Sequence, residues 1–149
     1  MSETGTQATK SLVVERTMPH APAKIWRALT TSALVAEWLM RNDFECRVGH
    51  VFQFHATPVP GWSGVTNCEV LEIDPPHRLI YRWGDGSESD SGLSTLVTWT
   101  LTPTDDGTHV RMEQSGFRPQ DEGGYRGMGG GWPRILAGLE RVAGDLGPG

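Results

Sequence analysis

At 149 residues the chain has the length of one domain. A chain of that size can bury roughly 70% of the surface its unfolded form exposes, so neither a metal nor a disulfide is needed to hold a core. Its 13 basic side chains are outnumbered by 18 acidic ones and scattered, which argues against nucleic acid as a partner, and no stretch approaches a membrane span.

Residues 1–10 are polar, lack the apolar centre of a secretory signal, and are expected as a loose tail ahead of one domain at 11–147, in the cytoplasm. Leu12, Val14 and Met18 alternate with Val13, Glu15 and Thr17 as a first strand, which Pro19 and Pro22 stop. Pro22 suits the first turn of a helix, where its missing N–H costs nothing, and Ile25, Trp26, Ala28 and Leu29 supply one short apolar face. Ser32 is the expected N-cap of a second short helix through Leu34, Val35 and Trp38, ending before Asn42. A strand through Cys46 and Val48 is expected to turn at Gly49 and return with Phe52, Phe54 and Ala56 on one phase.

After a Pro- and Gly-rich loop at 57–64, residues 65–73 are apolar on both phases and predict a strand covered, at least in part, on both sides. Pro75 and Pro76 end it, and 77–83 form the next strand. The run 84–92 carries Asp85, Glu88 and Asp90 at irregular spacing, so it reads as a solvated connection and not as a calcium loop or an acid–base pair. A hairpin of 94–103 with 108–115 is joined through Asp105, Asp106 and Gly107, where glycine is expected for its tolerance of positive φ.

Across the late strands the bulky residues share a phase: Leu79, Tyr81, Trp83, then Val97, Trp99, Leu101, then Val110, Met112. Successive side chains point to opposite faces, so one side of this sheet is an aromatic wall. The apolar stripe able to cover it belongs to a C-terminal helix carrying Trp132, Ile135, Leu136, Leu139, Val142 and Leu146. Helix grammar alone would start that helix at Trp132, because glycines 127, 129, 130 and 131 cost ~1 kcal/mol each in a helix interior.

Five motifs in order carry a family resemblance. They are Pro22-x-x-Ile25-Trp26-x-Ala28-Leu29-Thr30, Trp38 closing the second helix, Glu69-Val70-x-x-x-Asp74-Pro75-Pro76-x-Arg78-Leu79-x-Tyr81-x-Trp83, Thr98-Trp99-x-Leu101-Thr102-Pro103 with Gly107-Thr108-x-Val110, and Gly131-Trp132. Over residues 12–146 the chain thereby resembles the heat-shock-90 ATPase activator-like branch of the SRPBCC (START-like) superfamily. The resemblance implies an α+β helix-grip fold, a curved antiparallel β-sheet of about six or seven strands wrapped around a long C-terminal helix, with two short helices after the first strand. It also implies a cavity between sheet and helix. The family pattern starts the last helix near 121–124; with Met128 one turn before Trp132, helix is expected from Tyr125 onward, its glycines thinning it at the cavity mouth. That superfamily includes lipid and hormone binders, polyketide cyclases, co-chaperone domains and antibiotic self-resistance proteins, so no single activity is implied.

Strand phase populates the cavity. Phe52, Phe54, Trp83, Trp99 and Met112 supply apolar wall, Tyr81, Thr95 and Gln114 add a few hydrogen-bonding groups, and Met128 and Trp132 face them from the helix. The expected ligand is a hydrophobic small molecule of the lipid or aromatic polyketide class, bound without catalysis and without a cofactor. The same side chains read equally as a filled core. Arg16 lies in phase with Leu12 and Val14; the expectation is that the strand ends before it, the alternative an inward guanidinium needing a carboxylate or a ligand anion.

Other chemistries find little support. His20, His50, His55, His77 and His109 form no H-x-H or H-x-x-x-H pair, and His109 falls on the solvated phase with Arg111 and Glu113, so no metal is expected. There is no G-x-S-x-G and no local base beside Cys46 or Cys68, which are expected as reduced thiols. The glycines before Trp132 lack the Lys and Ser/Thr of a phosphate loop. Two alternatives stand beside the binder. One is a cyclase, aromatase or hydrolase-like enzyme in which Tyr81, Gln114 or Arg16 polarises a carbonyl. The other is a stress-related co-chaperone that meets a heat-shock-90 partner through its sheet surface. Monomer and homodimer are both open.

Overall fold

The computed structural model describes residues 9–57, 64–84 and 93–146; the expected tail through residue 8 and the acidic run with Asp85, Glu88 and Asp90 lie outside the described residues. The strands are β1 (Lys10–Met18), β2 (Arg41–Asn42), β3 (Val51–His55), β4 (Val65–Asp74), β5 (Arg78–Trp83), β6 (Thr95–Pro103) and β7 (Thr108–Phe117). Two short helices, α1 (Pro22–Thr30) and α2 (Ser32–Trp38), follow β1, and a single 3-10 turn at Pro119–Asp121 leads into α3 (Glu122–Asp145). All strand pairs are antiparallel, in the order β1-β7-β6-β5-β4-β3-β2. The sheet curves around α3, so the helix-grip expectation holds. No helix of the described residues is long and apolar enough to cross a membrane.

Alternation does what the pattern requires. Along β5, β6 and β7 every second residue is buried, from Leu79, Tyr81 and Trp83 through Val97, Trp99 and Leu101 to Val110, Met112 and Gln114. The stripe Trp132, Leu136, Leu139, Val142 and Ala143 of α3 closes over them. Pro22 occupies the first turn of α1, whose Ile25, Ala28 and Leu29 are buried. The Trp38 indole N–H donates to the Ala28 carbonyl at 2.9 Å, which fastens α2 to α1. Gly138 of α3 faces Trp38 of α2, where an added Cβ would stand 3.5 Å from that of Trp38, an ordinary packing distance.

Several expectations need correction. Cys46 and Val48 lie in an irregular segment; the partner of β3 is Arg41–Asn42, paired with His55 and Phe54. Gly49 does make the turn, with φ +89. Ser32 is the first residue of α2 and not its cap, which is Thr31. Its hydroxyl donates instead to the Asn42 side chain at 2.8 Å, and that amide also accepts the Phe44 N–H, so this polar cluster sets the short strand. β4 is covered on one side only: Thr66, Cys68 and Val70 are buried, while Leu71 is exposed at a bulge where the register with β5 shifts. The mixed phase of 65–73 thus came from the bulge and not from two-sided burial. Gly107 is absent from the positive-φ glycines. It is needed because a Cβ would overlap the Met18 carbonyl oxygen where β1 ends against the hairpin.

Arg16 is a further correction, because β1 continues through Met18. In register it follows Leu101 and Val110 across the sheet, and its guanidinium reaches Glu140 of α3 at 2.6 Å. Arg16 thus lies on the inner phase, but its side chain is 43% exposed and pairs with the gripped helix at the margin of the grip without being buried beneath it.

The glycines of α3 divide by environment. Gly123, Gly124, Gly127 and Gly130 are exposed, and a Cβ at each would meet nothing within 4 Å; only Gly129 approaches the sheet, 3.2 Å from Leu12 Cδ2. Four of these glycines therefore face open space and do not thin the helix against the sheet. Alanine at Gly124, Gly127 and Gly130 together should raise stability by about 2–3 kcal/mol, the sum of three helix-propensity gains. Urea melts of the triple variant check this, and a lower midpoint would contradict it.

Candidate functional site

Register places the predicted residues in rows on the inner face. One row runs Phe52, Cys68, Trp83, Thr95; the next runs Val70, Tyr81, Val97, Gln114, Leu12; a third runs Leu79, Trp99, Met112, Val14. Nine of the ten candidates are buried, and Met128 is partly buried against them. Trp132 descends from α3 between two indoles, its ring centroid 5.9 Å from that of Trp83 and 5.8 Å from that of Trp99. Phe54 lies 5.1 Å from Trp83, and Phe52 meets Phe54 and Tyr81 edge-on at 5.4 and 5.6 Å. Offset and edge contacts of this kind each add about 0.5–1.5 kcal/mol beyond area burial.

The polar members are connected. The Trp132 indole N–H donates to Gln114 Oε1 at 2.9 Å, Gln114 Nε2 donates to Thr95 Oγ1 at 2.9 Å, and that hydroxyl donates to the Trp83 carbonyl at 3.1 Å. This chain ties α3 to three adjacent strands. Separately, the Trp99 indole N–H donates to the Tyr81 hydroxyl oxygen at 3.1 Å. Burial pushes the Tyr81 phenol far above its ordinary pKa, against the opposing effect of the Trp99 bond, so it stays protonated.

Phase reasoning missed some neighbours. Trp38 stands edge-on to Trp99 at 5.6 Å, and Phe44 edge-on to Phe52 at 5.2 Å. Both come from the segment between β1 and β3, where no strand period marks which side chains turn inward. His50 stacks on Phe52 at 6.2 Å and is held by the Asp43 carbonyl at 2.9 Å. Cys46 and Cys68 are free thiols, and no cluster of three metal-ligating side chains occurs among the described residues. His109 lies on the outer face, bridged to Glu15 at 2.7 Å.

The start of α3 is fixed by charge. Asp121 accepts from the backbone N–H and the guanidinium of Arg118 at 2.8–2.9 Å, and Glu122 is met by Lys10 at 2.7 Å and Arg126 at 2.9 Å. The Arg118 hydrogen bond holds the Asp121 carboxyl below its ordinary value, and Lys10, then Arg126, does the same for Glu122. A carboxylate depressed in the folded state lends stability that is present above its unfolded pKa and disappears as pH falls through the folded one. Stability should therefore decline below about pH 4. With Asp121→Asn and Glu122→Gln together the decline should be shallower, and an unchanged acid limb in pH-dependent melts would contradict the assignment. Beside this cap is a shallow recess of about 370 Å³ lined by Thr9, Lys10, Phe117, Pro119 and Glu122.

A curved sheet that packs an aromatic inner face onto a long terminal helix, with polar groups few and mostly paired, defines a helix-grip protein. Residues 19–144 match the family model of activator of Hsp90 ATPase homolog 1-like proteins, and the chain belongs to that family. Among solved structures, protein MLL2253 from Mesorhizobium loti is 45% identical with TM-score 0.85, covering 93% of this chain and 100% of its own. DynU16, a putative protein in the dynemicin biosynthetic locus, is 23% identical with TM-score 0.73 over 91% of this chain and 47% of its own. The Aha1 dimer from Colwellia psychrerythraea is 19% identical with TM-score 0.75 over 94% and 99%. The last two show likeness of fold. Among curated proteins none matches.

Proposed function

We propose that the protein binds a hydrophobic small molecule, of the lipid or aromatic polyketide class, between the sheet and α3 and carries out no reaction on it. The observation that carries this is the convergence of Trp83, Trp99 and Trp132 with Phe52 and Phe54 on one buried face. Pockets for such ligands are mostly apolar with a few oriented polar groups, and this face has that composition. The fold of DynU16, from a biosynthetic locus, supports the same reading. Tyr81, Thr95, Gln114, Met112 and Met128 complete the proposed lining. Native mass spectrometry of protein purified from cells, followed by thermal-shift measurements with lipids and aromatic polyketides, tests it. A retained low-mass adduct or a rise in melting temperature is expected, and the absence of both would contradict the proposal.

The co-chaperone reading is favoured by a different observation. Val13, Val51 and Leu96 stand exposed on the opposite, outer phase of the sheet. Stimulation of a heat-shock-90 ATPase that is lost when these become serine would favour that reading over the binder.

A further inference from the structure

Of the three polar side chains proposed for the lining, Thr95 and Gln114 are joined in the chain that ends on the Trp83 carbonyl. Tyr81 is different. An indole N–H can only donate, so the bond from Trp99 occupies the Tyr81 oxygen as acceptor and leaves its O–H proton to find another partner. Among the described residues none accepts it, although Tyr81 is only 4% exposed. The Cys68 thiol is nearby and donates to the Thr66 carbonyl. The second N–H of Gln114 likewise has no acceptor among the described residues, and the two groups lie in one row with Val97 between them. A buried donor without an acceptor is costly and uncommon in native proteins.

We infer that the Tyr81 hydroxyl donates a hydrogen bond to a neutral carbonyl-type acceptor on the bound molecule. This rests on the binding reading and sharpens it to one ligand class. The row through Val70, Tyr81, Val97, Gln114 and Leu12 carries no charged side chain. A carboxylate buried there would have no counter-charge, because the inward-phase Arg16 is occupied by Glu140. A pure hydrocarbon would leave the proton unpaired. Ketones, quinones and amides fit both conditions, whereas free fatty acids fail the first. The Trp99 N–H, by donating to the same oxygen, strengthens the outgoing bond.

The neutral naphthyl ketone Prodan tests this, because its emission reports both an apolar surrounding and a hydrogen bond to its carbonyl; anthracene and naphthoate serve as hydrocarbon and anionic comparators. Wild-type protein should bind Prodan more tightly than naphthoate, and the carbonyl stretch of bound Prodan should lie below its position in hexane. Tyr81→Phe should weaken Prodan binding about tenfold and shift the remaining bound emission to the blue, while anthracene affinity stays the same. The infrared measurement on wild-type protein stands even if the variant folds poorly. Prodan affinity and emission unchanged in Tyr81→Phe, or a carbonyl stretch as in hexane, would overturn the anchor while leaving hydrophobic binding intact. If wild-type protein takes up neither Prodan nor anthracene, the binding reading falls and the anchor with it.

Discussion

Replacing Trp132 with alanine is expected to lower stability by about 3–5 kcal/mol and the melting temperature by roughly 10 °C or more. The indole is 2% exposed and is the buried aromatic that α3 sends into the centre of the sheet, in edge contact with both Trp83 and Trp99. Its removal opens a cavity at the centre of the grip and leaves Gln114 Oε1 without its donor. Neighbouring side chains cannot close the gap, because Trp99 is pinned by Tyr81 and Trp38. Thermal and urea unfolding measure the loss. A shift under about 1 kcal/mol would mean that α3 is held by its C-terminal stripe alone.

Gln114→Leu is the second large effect, about 1–3 kcal/mol, and it acts through a different term. Leucine fills most of the volume, so packing is nearly kept, but the Trp132 N–H becomes a buried donor with no acceptor. Trp132→Phe alone orphans the carbonyl oxygen instead. The double variant removes both partners, so its cost should fall well short of the sum of the singles. Strict additivity would show that the hydrogen bond contributes nothing to holding helix to sheet.

How much could be read from residues alone follows from which physical signals are local. Strand period is local, and it marked the inner face from Leu79 to Met112 and the hairpin closing at Gly107 correctly. The family motifs implied an antiparallel sheet of about six or seven strands, but its order rests on pairing between distant segments, which neither motif nor composition supplied. Local signals failed where a partner lay far away in sequence. Arg16 could not reveal Glu140, 124 residues on, and Ser32 could not reveal its bond to Asn42. The bulge at Leu71 disguised a one-sided strand as a two-sided one. Glycines before Trp132 weaken helix grammar, yet α3 runs through them because both flanks are tied, by the Arg118–Asp121 pair of the preceding turn at one end and the buried stripe at the other. At the candidate site, phase could place Tyr81, Thr95 and Gln114 inside, but not distinguish polar groups paired with one another from one with a proton left over.

The most direct measurement is a titration of the protein with Prodan, followed through the indole N–H resonances in two-dimensional NMR. Shifts concentrated on Trp83, Trp99 and Trp132 are expected, with Trp26 of α1 left in place. Resonances of those three that stay fixed at saturating ligand, or shifts limited to Trp26, would contradict binding between the sheet and its helix.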